Sequence, residues 1–514
     1  MSNIEYFVID DEAGFNTVLG QLKSNYKLRK EGTHTKEENY FDTFDYKIYK
    51  NGLLLAREGS RYALIKAQGN DTVDSVIIKT KKKPKFWWDF ADSSFREKLR
   101  SCIDVRALLP LTSVERLISR YRLLNKDDKT VLFLGHEEIR LTEGGHENKA
   151  ANMIYIEPVR GYVEELERMK QYLDRPGLEK TDLNLLSLAL ELAGRTPGEY
   201  SSKINVKLEP DMSSSEAVRK ILFSLLDTIK VNVDGIVEDI DIEFLHDFRV
   251  AVRRTRSVLT LIKGVFQKRI QTRYKRDFAG LGKKTNLLRD LDIYLLKKDE
   301  YLEMLPAELR PGLDRLFAII RKERQQAHRE FVEYINSPAC RNVLQSWEKF
   351  LNEPHETDGP SKNAAMPVIE LADKHIRKRY KKVLKLGNKI NDDSPESDLH
   401  TLRIECKKLR YFLEFFESLF PEREIRQTVK QLKGLQDNLG DYNDLHVQQE
   451  TLKGYIAGLD SGTDSERDII ASAGGLISQL YRRQKGIRAA FKKRFEEFSN
   501  EETDALFEKL FSGH

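Results

Sequence analysis

The sequence has few cysteines: Cys102, Cys340 and Cys406 are the three among 514 residues. So few and so scattered thiols exclude a disulfide framework and a paired-thiolate metal site. Cys406 falls among apolar positions of a helical segment, which favours a buried thiol. The ten histidines show no metal-ligand spacing such as HExxH. The sequence therefore predicts no metal site and no cofactor.

Long apolar runs are also missing. No stretch of about 18 apolar residues occurs, and the start, "MSNIEYFVIDDEAGF", has neither the basic segment nor the apolar core of a signal peptide. We therefore expect no membrane partner and a cytoplasmic location. With 40% hydrophobic and 33% charged residues the composition is that of a globular protein. A chain of 514 residues exceeds the roughly 250–300 at which one core stops growing, so several domains are expected.

The charge balance is nearly even, with a net charge of +5. Residues 1–200 carry 32 charged residues of each sign, so 55 of the 87 bases and 50 of the 82 acids lie after residue 200. The whole basic excess lies in the later part. With so many acids present, a site for a polyanion requires sorting of charge onto particular helix faces.

Composition divides the chain into two domains. Residues 1–193 open with strand signals such as "TVLFLGHEEIRLT" and "NMIYIEPV", which predict an antiparallel sheet with a few helices. Residues 194–216 are rich in helix breakers and small polar residues, as in a linker. Residues 217–514 are amphipathic and helical almost throughout. A polar break separates a first half, 217–351, from a second, 364–514.

One helical motif occurs in both halves. "LHDFRVAVRRTR" begins at Leu245 and "LHTLRIECKKLR" at Leu399; "LGKKTNLLRDLD" and "LKGLQDNLGDYN" follow them at a similar offset. Two copies of a four-helix unit would meet about a pseudo-twofold axis, since each copy buries its apolar stripe best against its twin.

The repeated helix carries its cations on one face. At 100° per residue, the first copy places three arginines within about 80° of its histidine, and the apolar residues lie beside them. The second copy builds the same arrangement. The matched positions are His246, Arg249, Arg253 and Arg256 in the first half and His400, Arg403, Lys407 and Arg410 in the second.

A charged stripe on a lone helix is usually a solvated face. Here no acid lies between Arg249 and Arg256, and only Glu405 lies between Arg403 and Arg410. Like charges at i,i+4 spacing are unfavourable without a counter-anion. The repeat therefore favours a cleft for a polyanion. Further cations that would extend its walls are Arg219, Lys220, Arg377, Lys378 and Lys381.

Two features near the cationic rows leave alternatives open. Each histidine either caps or packs a helix start, or donates a hydrogen bond to an anionic oxygen. The acids of "RDLD" and "GDYND" either bind a metal or orient the arginines from behind.

The type of polyanion follows from what accompanies the cations. Nucleic-acid binders interleave cations with exposed aromatic side chains that stack on bases. The basic rows contain only Tyr380 and Tyr481. A ligand made only of phosphates fits better, and nucleic acid is not the expected partner.

The twin motifs resemble those of the CHAD domain, the conserved histidine α-helical domain, over Ala217 to Phe511. The resemblance implies an all-α domain of two pseudo-symmetric four-helix bundles. It also implies binding of inorganic polyphosphate by the eight matched histidine and basic positions. Lys407 stands where the first half has Arg253, and a point charge gives up the bidentate geometry of a guanidinium.

The front part is similar to the CYTH or triphosphate-tunnel fold, an antiparallel β-barrel. The similarity lies in "NYFDTFDYKIYKNGLLLAREG", "ALIKAQG" and "SRYRLL". Active members hold divalent ions with an opening ExExK and later carboxylates. Here Asn3 and Phe7 replace a Glu and the Lys, and only Glu5 and Glu157 are retained. Catalysis is therefore not the expected role. Arg57, Lys66, Arg120 and Arg122 either bind phosphate or are remnants.

These observations predict a multidomain α+β protein, a degenerate CYTH-like barrel followed by a CHAD domain that binds inorganic polyphosphate. No catalytic residue is assigned. The alternative is a metal-dependent inorganic triphosphatase or polyphosphatase that uses the N-terminal barrel, with the CHAD domain gathering substrate.

Overall fold

A computed structural model describes residues 4–67, 72–78, 83–142, 150–173, 178–181, 185–353, 363–460 and 462–512. It divides into two compact units, Met1–Ser201 and Ser202–His514. The division falls inside the segment 194–216 that the sequence predicts as a linker. The last three residues of that segment, from Ser214, already belong to a helix.

The N-terminal unit is built on one antiparallel sheet. Its strands are β1 (Glu5–Ile9), β2 (Lys27–Asp42), β3 (Leu53–Glu58), β4 (Arg61–Lys66), β5 (Thr72–Ile77), β6 (Leu109–Leu124), β7 (Thr130–Leu141), β8 (Ala150–Pro158) and β9 (Leu178–Thr181). They follow the order β5-β4-β3-β2-β6-β7-β8-β1-β9. The predicted antiparallel sheet is confirmed. Among the described residues β5 and β9 are its free edges, so hydrogen bonds do not close it into the predicted barrel.

Five helices accompany the sheet in the part of this unit that the structure describes. They are α1 (Glu12–Leu22), α2 (Lys47–Lys50), α3 (Ser94–Ile103), α4 (Val163–Leu173) and α5 (Leu185–Leu192). Asp11 caps α1 by accepting a hydrogen bond from the Gly14 amide at 2.8 Å. Phe15, Val18 and Leu22 then follow at helical spacing and are buried. They pack with β1 and α4 in one apolar cluster that covers one face of the sheet.

The second unit is helical. Its helices are α6 (Ser214–Val231), α7 (Val233–Val237), α8 (Ile242–Leu261), α9 (Lys268–Lys284), α10 (Asn286–Leu296), α11 (Lys298–Glu303), α12 (Arg310–Ile335), α13 (Pro338–Asn352), α14 (Val368–Gly387), α15 (Glu396–Phe415), α16 (Glu422–Ala457), α17 (Asp464–Ala489), α18 (Phe491–Phe498) and α19 (Glu501–Phe511). Short 3₁₀ turns occupy Trp87–Asp89 in the first unit and Ala307–Leu309 and Glu417–Leu419 here. In the described chain no helix combines the length and apolarity needed to cross a bilayer.

In the helical unit, helices of the first half pack against the corresponding helices of the second half. Helix α6 packs on α14, α8 on α15 and α12 on α17. Contact of an element with its own copy is the pattern of a twofold, isologous interface. One difference concerns α16, which runs unbroken where the first half has α9 and α10. The first half is divided at Thr285, whose hydroxyl donates to the Gly282 carbonyl oxygen.

The apolar stripes predicted on the repeated helices form the core of this unit. On α8, Phe248, Val252 and Leu259 are buried. On α15 the buried set includes Leu402, Leu409 and the free thiol of Cys406. The cationic positions consequently lie on the neighbouring face of each helix.

Candidate functional site

The site lies where α8 packs against α15. A cavity of about 300 Å³, the central cavity, is lined from both halves. Helix α8 contributes His246 and Arg253, and α15 contributes Arg403, Lys407 and Arg410. The two repeated helices therefore present their cations to one space.

Two further cavities flank the central one. The first, about 240 Å³, lies between α8 and α9 and is lined by Arg249, Arg253 and Arg256. The second, about 250 Å³, lies between α15 and α16 and is lined by His400 and Arg403. Because Arg253 and Arg403 each line two cavities, the three adjoin. We call this row of three the cationic cleft; its cations and histidines are Arg249, Arg253, Arg256, Arg403, Lys407, Arg410, His246 and His400.

The cations of the cleft have few counter-charges. Within the described part of the chain, the side chains of Arg253, Arg256 and Lys407 make no hydrogen bond or ion pair. Arg249 donates to two neutral oxygens, Oγ1 of Thr285 at 2.9 Å and Oδ1 of Asn286. Four of the six cations of the cleft, Arg249 among them, therefore make no ion pair within the described residues, although the carboxylates of Asp247, Glu414 and Asp437 also line the central cavity.

Two side chains of the cleft do have acidic partners. Arg403 reaches Oδ1 of Asp444 at 3.4 Å, and that carboxylate is largely exposed. Arg410 holds Oε1 of Glu414 at 2.6 Å, one helical turn away. Both pairs leave guanidinium donors free to turn toward an anion in the central cavity.

Crowding of like charge shifts the pKa values of the cleft. Burial, followed by the charges of Arg403 and Arg253, lowers the pKa of Lys407 to about 8. Burial and neighbouring arginines also lower the pKa of Arg249 and of Arg403, against the opposing effects of Asp290 and Asp444 respectively. Each shift means that the charged form is disfavoured in the free protein. A bound anion would remove that penalty.

The acids of the two downstream motifs have different surroundings, and one of them, Asp437, lines the central cavity. Asp290 acts on Arg249 and Asp444 on Arg403. Asp292 instead accepts from Nε of Arg324 at 2.8 Å and belongs to the core of the unit. The described residues contain no group of three His, Cys, Asp or Glu side chains suited to a metal ion. Of these acids, Asp444 contacts its arginine, Arg403, at 3.4 Å, whereas Asp290 acts on Arg249 through its charge.

The two histidines lie inside their helices, not at the cap. Asp241 caps α8 by accepting from the Glu243 amide at 2.9 Å, and His246 follows one turn later. Nδ1 of His400 lies 3.2 Å from Oδ1 of Asn443 in the flanking cavity between α15 and α16. The capping interpretation is therefore wrong, and both imidazoles face the cleft.

Five of the predicted site residues lie elsewhere in the described structure. Arg219 is buried, donates to the Phe350 carbonyl oxygen at 2.7 Å and lies over the Phe350 ring. Lys220 pairs with Glu216 on its own helix at 3.3 Å. The Arg219 side chain therefore caps the C-terminal end of α13, and its role is structural.

The other three are exposed on α14. Arg377 and Lys381 lie about 160° around the helix from Arg379, which faces α15. Arg377 donates to the Ser512 carbonyl oxygen at 3.4 Å. Lys378 lies about 100° from Arg379. The structure does not bring these three together with the cationic cleft.

Two further lysines that the sequence did not predict as site residues also line the cleft. Lys283, at the end of α9, lines the first flanking cavity, and Lys203 lines the central one. The sequence could have identified Lys283 as a site residue, since it lies in the "LGKK" that opens the second repeated motif. No sequence feature marks Lys203 as a site residue, because it falls in the segment predicted as a linker. Arg254 joins the halves through Glu414 at 2.8 Å.

The carboxylates expected to hold a metal in the N-terminal unit do not fit one. Glu5 binds Lys170 at 2.6 Å and Lys180 at 3.0 Å. Burial opposes the resulting shift, but these two lysines lower the pKa of Glu5. Glu5 lies opposite Ile156 in the register of β1 and β8, so Glu5 and Glu157 point to opposite faces of the sheet. They cannot share an ion.

The other residues singled out by the resemblance to the CYTH fold lie in different environments. Phe7 is buried in the apolar cluster, and Asn3 lies outside the described residues. Arg120 pairs with Glu157 at 2.8 Å, and Arg122 with Glu31 at 2.5 Å. The other two of these four cations, Arg57, half-buried, and Lys66, exposed, make no ion pair within the described residues.

Known protein sequences include relatives of this chain. The protein-family model of the CHAD domain matches residues 220–453. Two curated proteins of Mycobacterium tuberculosis, uncharacterized proteins MT2285 and Rv2226, are each 25% identical over 271 residues, 52% of this chain and 49% of the relative. The chain thus spans about half the length of these curated relatives.

Solved structures include similar chains. The CHAD domain from the plant Ricinus communis is 26% identical, covers 57% of this chain and 96% of its own, and has a TM-score of 0.47. PptA from Streptomyces chartreusis is 12% identical, covers 55% and 100%, and has a TM-score of 0.42. HpAC1 from Hippeastrum, described by a dominant triphosphatase activity, is 14% identical, covers 39% and 100%, and has a TM-score of 0.28.

Proposed function

Residues 220–453 form a CHAD domain, and from that premise we propose that this chain binds inorganic polyphosphate in the cationic cleft. The observation that carries the proposal is a set of unpaired cations: Arg253 and Lys407 line the central cavity, which both halves share, and Arg256 lines the adjoining cavity of the first half. Like charges held together at this density require an anion with several charges. A linear chain of phosphates has that property along its whole length.

The character of the cleft favours phosphate over nucleic acid. Tyr380 is buried and stacked on Phe507 at 3.7 Å, so its ring is not offered to a base. Tyr411 lines the central cavity, but its ring stacks on Phe415. The cleft is also lined by Tyr442 and by four carboxylates, Asp247, Glu396, Glu414 and Asp437, but its guanidinium, amine and imidazole groups outnumber them. Such groups bind phosphate oxygens and do not read bases.

A calorimetric titration of long-chain polyphosphate into the full chain tests the proposal. The test variant carries Arg249→Gln, Arg253→Gln, Arg403→Gln and Lys407→Gln. A matched control carries Arg377→Gln, Lys378→Gln, Lys381→Gln and Lys385→Gln, which remove the same charge from exposed positions on α14.

The proposal predicts that the test variant loses at least about 100-fold in affinity, because each lost contact is a charge-assisted hydrogen bond. The control should lose a few-fold through its lower net charge alone. Equal losses in the two variants, with both folded by circular dichroism, would show that polyphosphate binds the net charge of the domain and not the cleft.

The alternative, a metal-dependent triphosphatase in the N-terminal unit, finds no support in the described carboxylates. Glu5 and Glu157 face opposite sides of the sheet, and each is paired with a cation. Phosphate release from inorganic triphosphate with Mg²⁺ tests it directly. Activity that disappears in Glu5→Gln and in Glu157→Gln would establish the alternative.

A further inference from the structure

The two halves of the cationic cleft differ in residue type at one of their four matched positions. Arg253 on α8 corresponds to Lys407 on α15, whereas the other three pairs are chemically identical. A guanidinium keeps its proton at every accessible pH. An amine crowded by cations loses its proton more readily, and its neutral form is a nucleophile. The second half therefore holds a reactive group that the first half lacks.

Lys407 has no partner that would hold its proton. The cavity that Lys407 lines also holds the cations Lys203, Arg254 and Arg410 and the carboxylates of Asp247, Glu414 and Asp437. The four charged groups with the largest effect on its amine are Arg249 and Arg253 from α8, Arg403 from its own helix and Asp444 from α16. Three of these four repel the ammonium form. Its amine also makes no hydrogen bond or ion pair within the described ranges.

Burial and these cations bring the pKa of Lys407 to about 8, against an ordinary value of 10.5. The neutral fraction at neutral pH is then on the order of 100-fold larger than for an ordinary lysine. The half-buried amine lines the central cavity together with Arg253 and Arg403. A small phosphate compound bound there would have its phosphoryl oxygens on the guanidinium groups and its other substituent near the amine.

We propose that Lys407 is a modification site that accepts an acyl group from small acyl phosphates bound in the central cavity. The inference rests on the proposed function, because the same cations must first collect the phosphate. The amine nitrogen attacks the acyl carbon, the bond from that carbon to the phosphate oxygen breaks, and inorganic phosphate leaves on the arginines. The amine proton passes to the departing phosphate or to water.

The modification would close the cleft to its polyanion. An amide at position 407 carries no charge and places an acyl group in a cavity of about 300 Å³. Both effects oppose binding at the junction of the two halves. The cleft would thereby respond to the supply of acyl phosphates.

Peptide mass spectrometry on the full chain treated with acetyl phosphate at neutral pH tests the proposal. Lys408 is an internal control, because it is the next residue and its amine is held by the carboxylate of Glu405 at 2.7 Å. A parallel sample receives the N-hydroxysuccinimide ester of acetic acid, an acyl donor without phosphate. A third receives acetyl phosphate with excess long-chain polyphosphate.

With acetyl phosphate we expect Lys407 to be acetylated at least about tenfold faster than Lys408. The ratio should fall with the ester and with added polyphosphate. A ratio near one, or the same ratio with both donors, overturns the proposal. If polyphosphate binds while the ratio is near one, the proposed function stands without this site. If acetyl phosphate is selective but polyphosphate neither binds nor protects, the modification stands and the proposed function fails.

Discussion

Burial and neighbouring positive charges destabilise the charged forms of single residues in the cleft. The pKa of Lys407, of Arg249 and of Arg403 is lowered, so the folded protein disfavours the charge that its proposed ligand needs. Binding sites commonly store such a cost, because the ligand removes it. Arg219 is the contrasting case: its cation is buried against aromatic rings and satisfied by a helix end.

The lowered pKa of Lys407 predicts a pH-dependent affinity for polyphosphate. Below about pH 8 the free amine is charged; above it, binding must first recruit a proton. We expect the affinity to fall about tenfold between pH 7 and pH 9.5, measured by titration calorimetry. Lys407→Arg keeps its charge over this range and should show a flat profile. The same decline in both proteins would rule out titration of Lys407 as its cause.

Arg219 should matter for stability and not for binding. Arg219→Met removes the donor to the Phe350 carbonyl oxygen and leaves it buried, at a cost of about 2 kcal/mol. The neighbouring Lys220→Met removes only an exposed pair with Glu216 and should change the stability by less than about 0.5 kcal/mol. Denaturant unfolding measures both. A loss of polyphosphate affinity in a folded Arg219→Met protein would show that Arg219 takes part in binding.

At the scale of elements, the repeated helices were the most predictable part of the chain. Their apolar and cationic residues lie on separate stripes, and burial of Phe248, Val252 and Cys406 follows the predicted stripe. Periodicity of this kind fixes which face of a helix is buried. It also predicted that the two copies of the helix would meet, as α8 and α15 do.

Periodicity does not reveal what a cation outside the repeat contacts. Arg219 was predicted to extend the walls of the cleft, yet it is buried and donates to a carbonyl oxygen 131 residues away. Arg377 and Lys381 were grouped with the cleft by composition alone, although the rotation of α14 turns them from α15. The same limit applies to sheet closure, since long-range strand pairing leaves little local signal.

The packing of α14 on α15 depends on a buried acid. Glu405 accepts from Arg379 at 2.7 Å, Lys382 at 3.1 Å and Lys408 at 2.7 Å. Burial opposes its ionisation, but these cations lower the pKa of Glu405. The stabilisation is therefore present above its ordinary value of 4.5 and is lost as pH falls through the lower folded value.

Glu405→Gln should destabilise the fold by about 2 kcal/mol at pH 7, because it removes the buried negative charge that three partly exposed cations share. The difference from the natural protein should shrink as pH falls below 4.5. Glu422→Gln is the control, since its pair with Arg426 is exposed and contributes little. Thermal unfolding at several pH values tests this; a difference that stays constant with pH would contradict the role of the Glu405 charge.

At the scale of the whole helical unit, the two halves form one body. Arg254 of α8 binds Glu414 of α15 at 2.8 Å, and both side chains are largely buried. Oη of Tyr294 donates to the Gln448 carbonyl oxygen at 2.7 Å. Such contacts fix the spacing of α8 and α15, and hence of the cations they present. A polyanion that spans both halves gains from this preorganisation, because the second contact is intramolecular.

The central claim is that one polyanion occupies a cleft shared by both halves, and the stoichiometry of binding tests it most directly. Short, size-fractionated polyphosphate is titrated calorimetrically into the full chain and into two variants. One carries Arg249→Gln, Arg253→Gln and Arg256→Gln; the other carries Arg403→Gln, Lys407→Gln and Arg410→Gln. We predict one polymer per natural chain and a loss of at least about 30-fold in each variant. Two polymers per natural chain, with one retained at full affinity in each variant, would contradict a shared cleft.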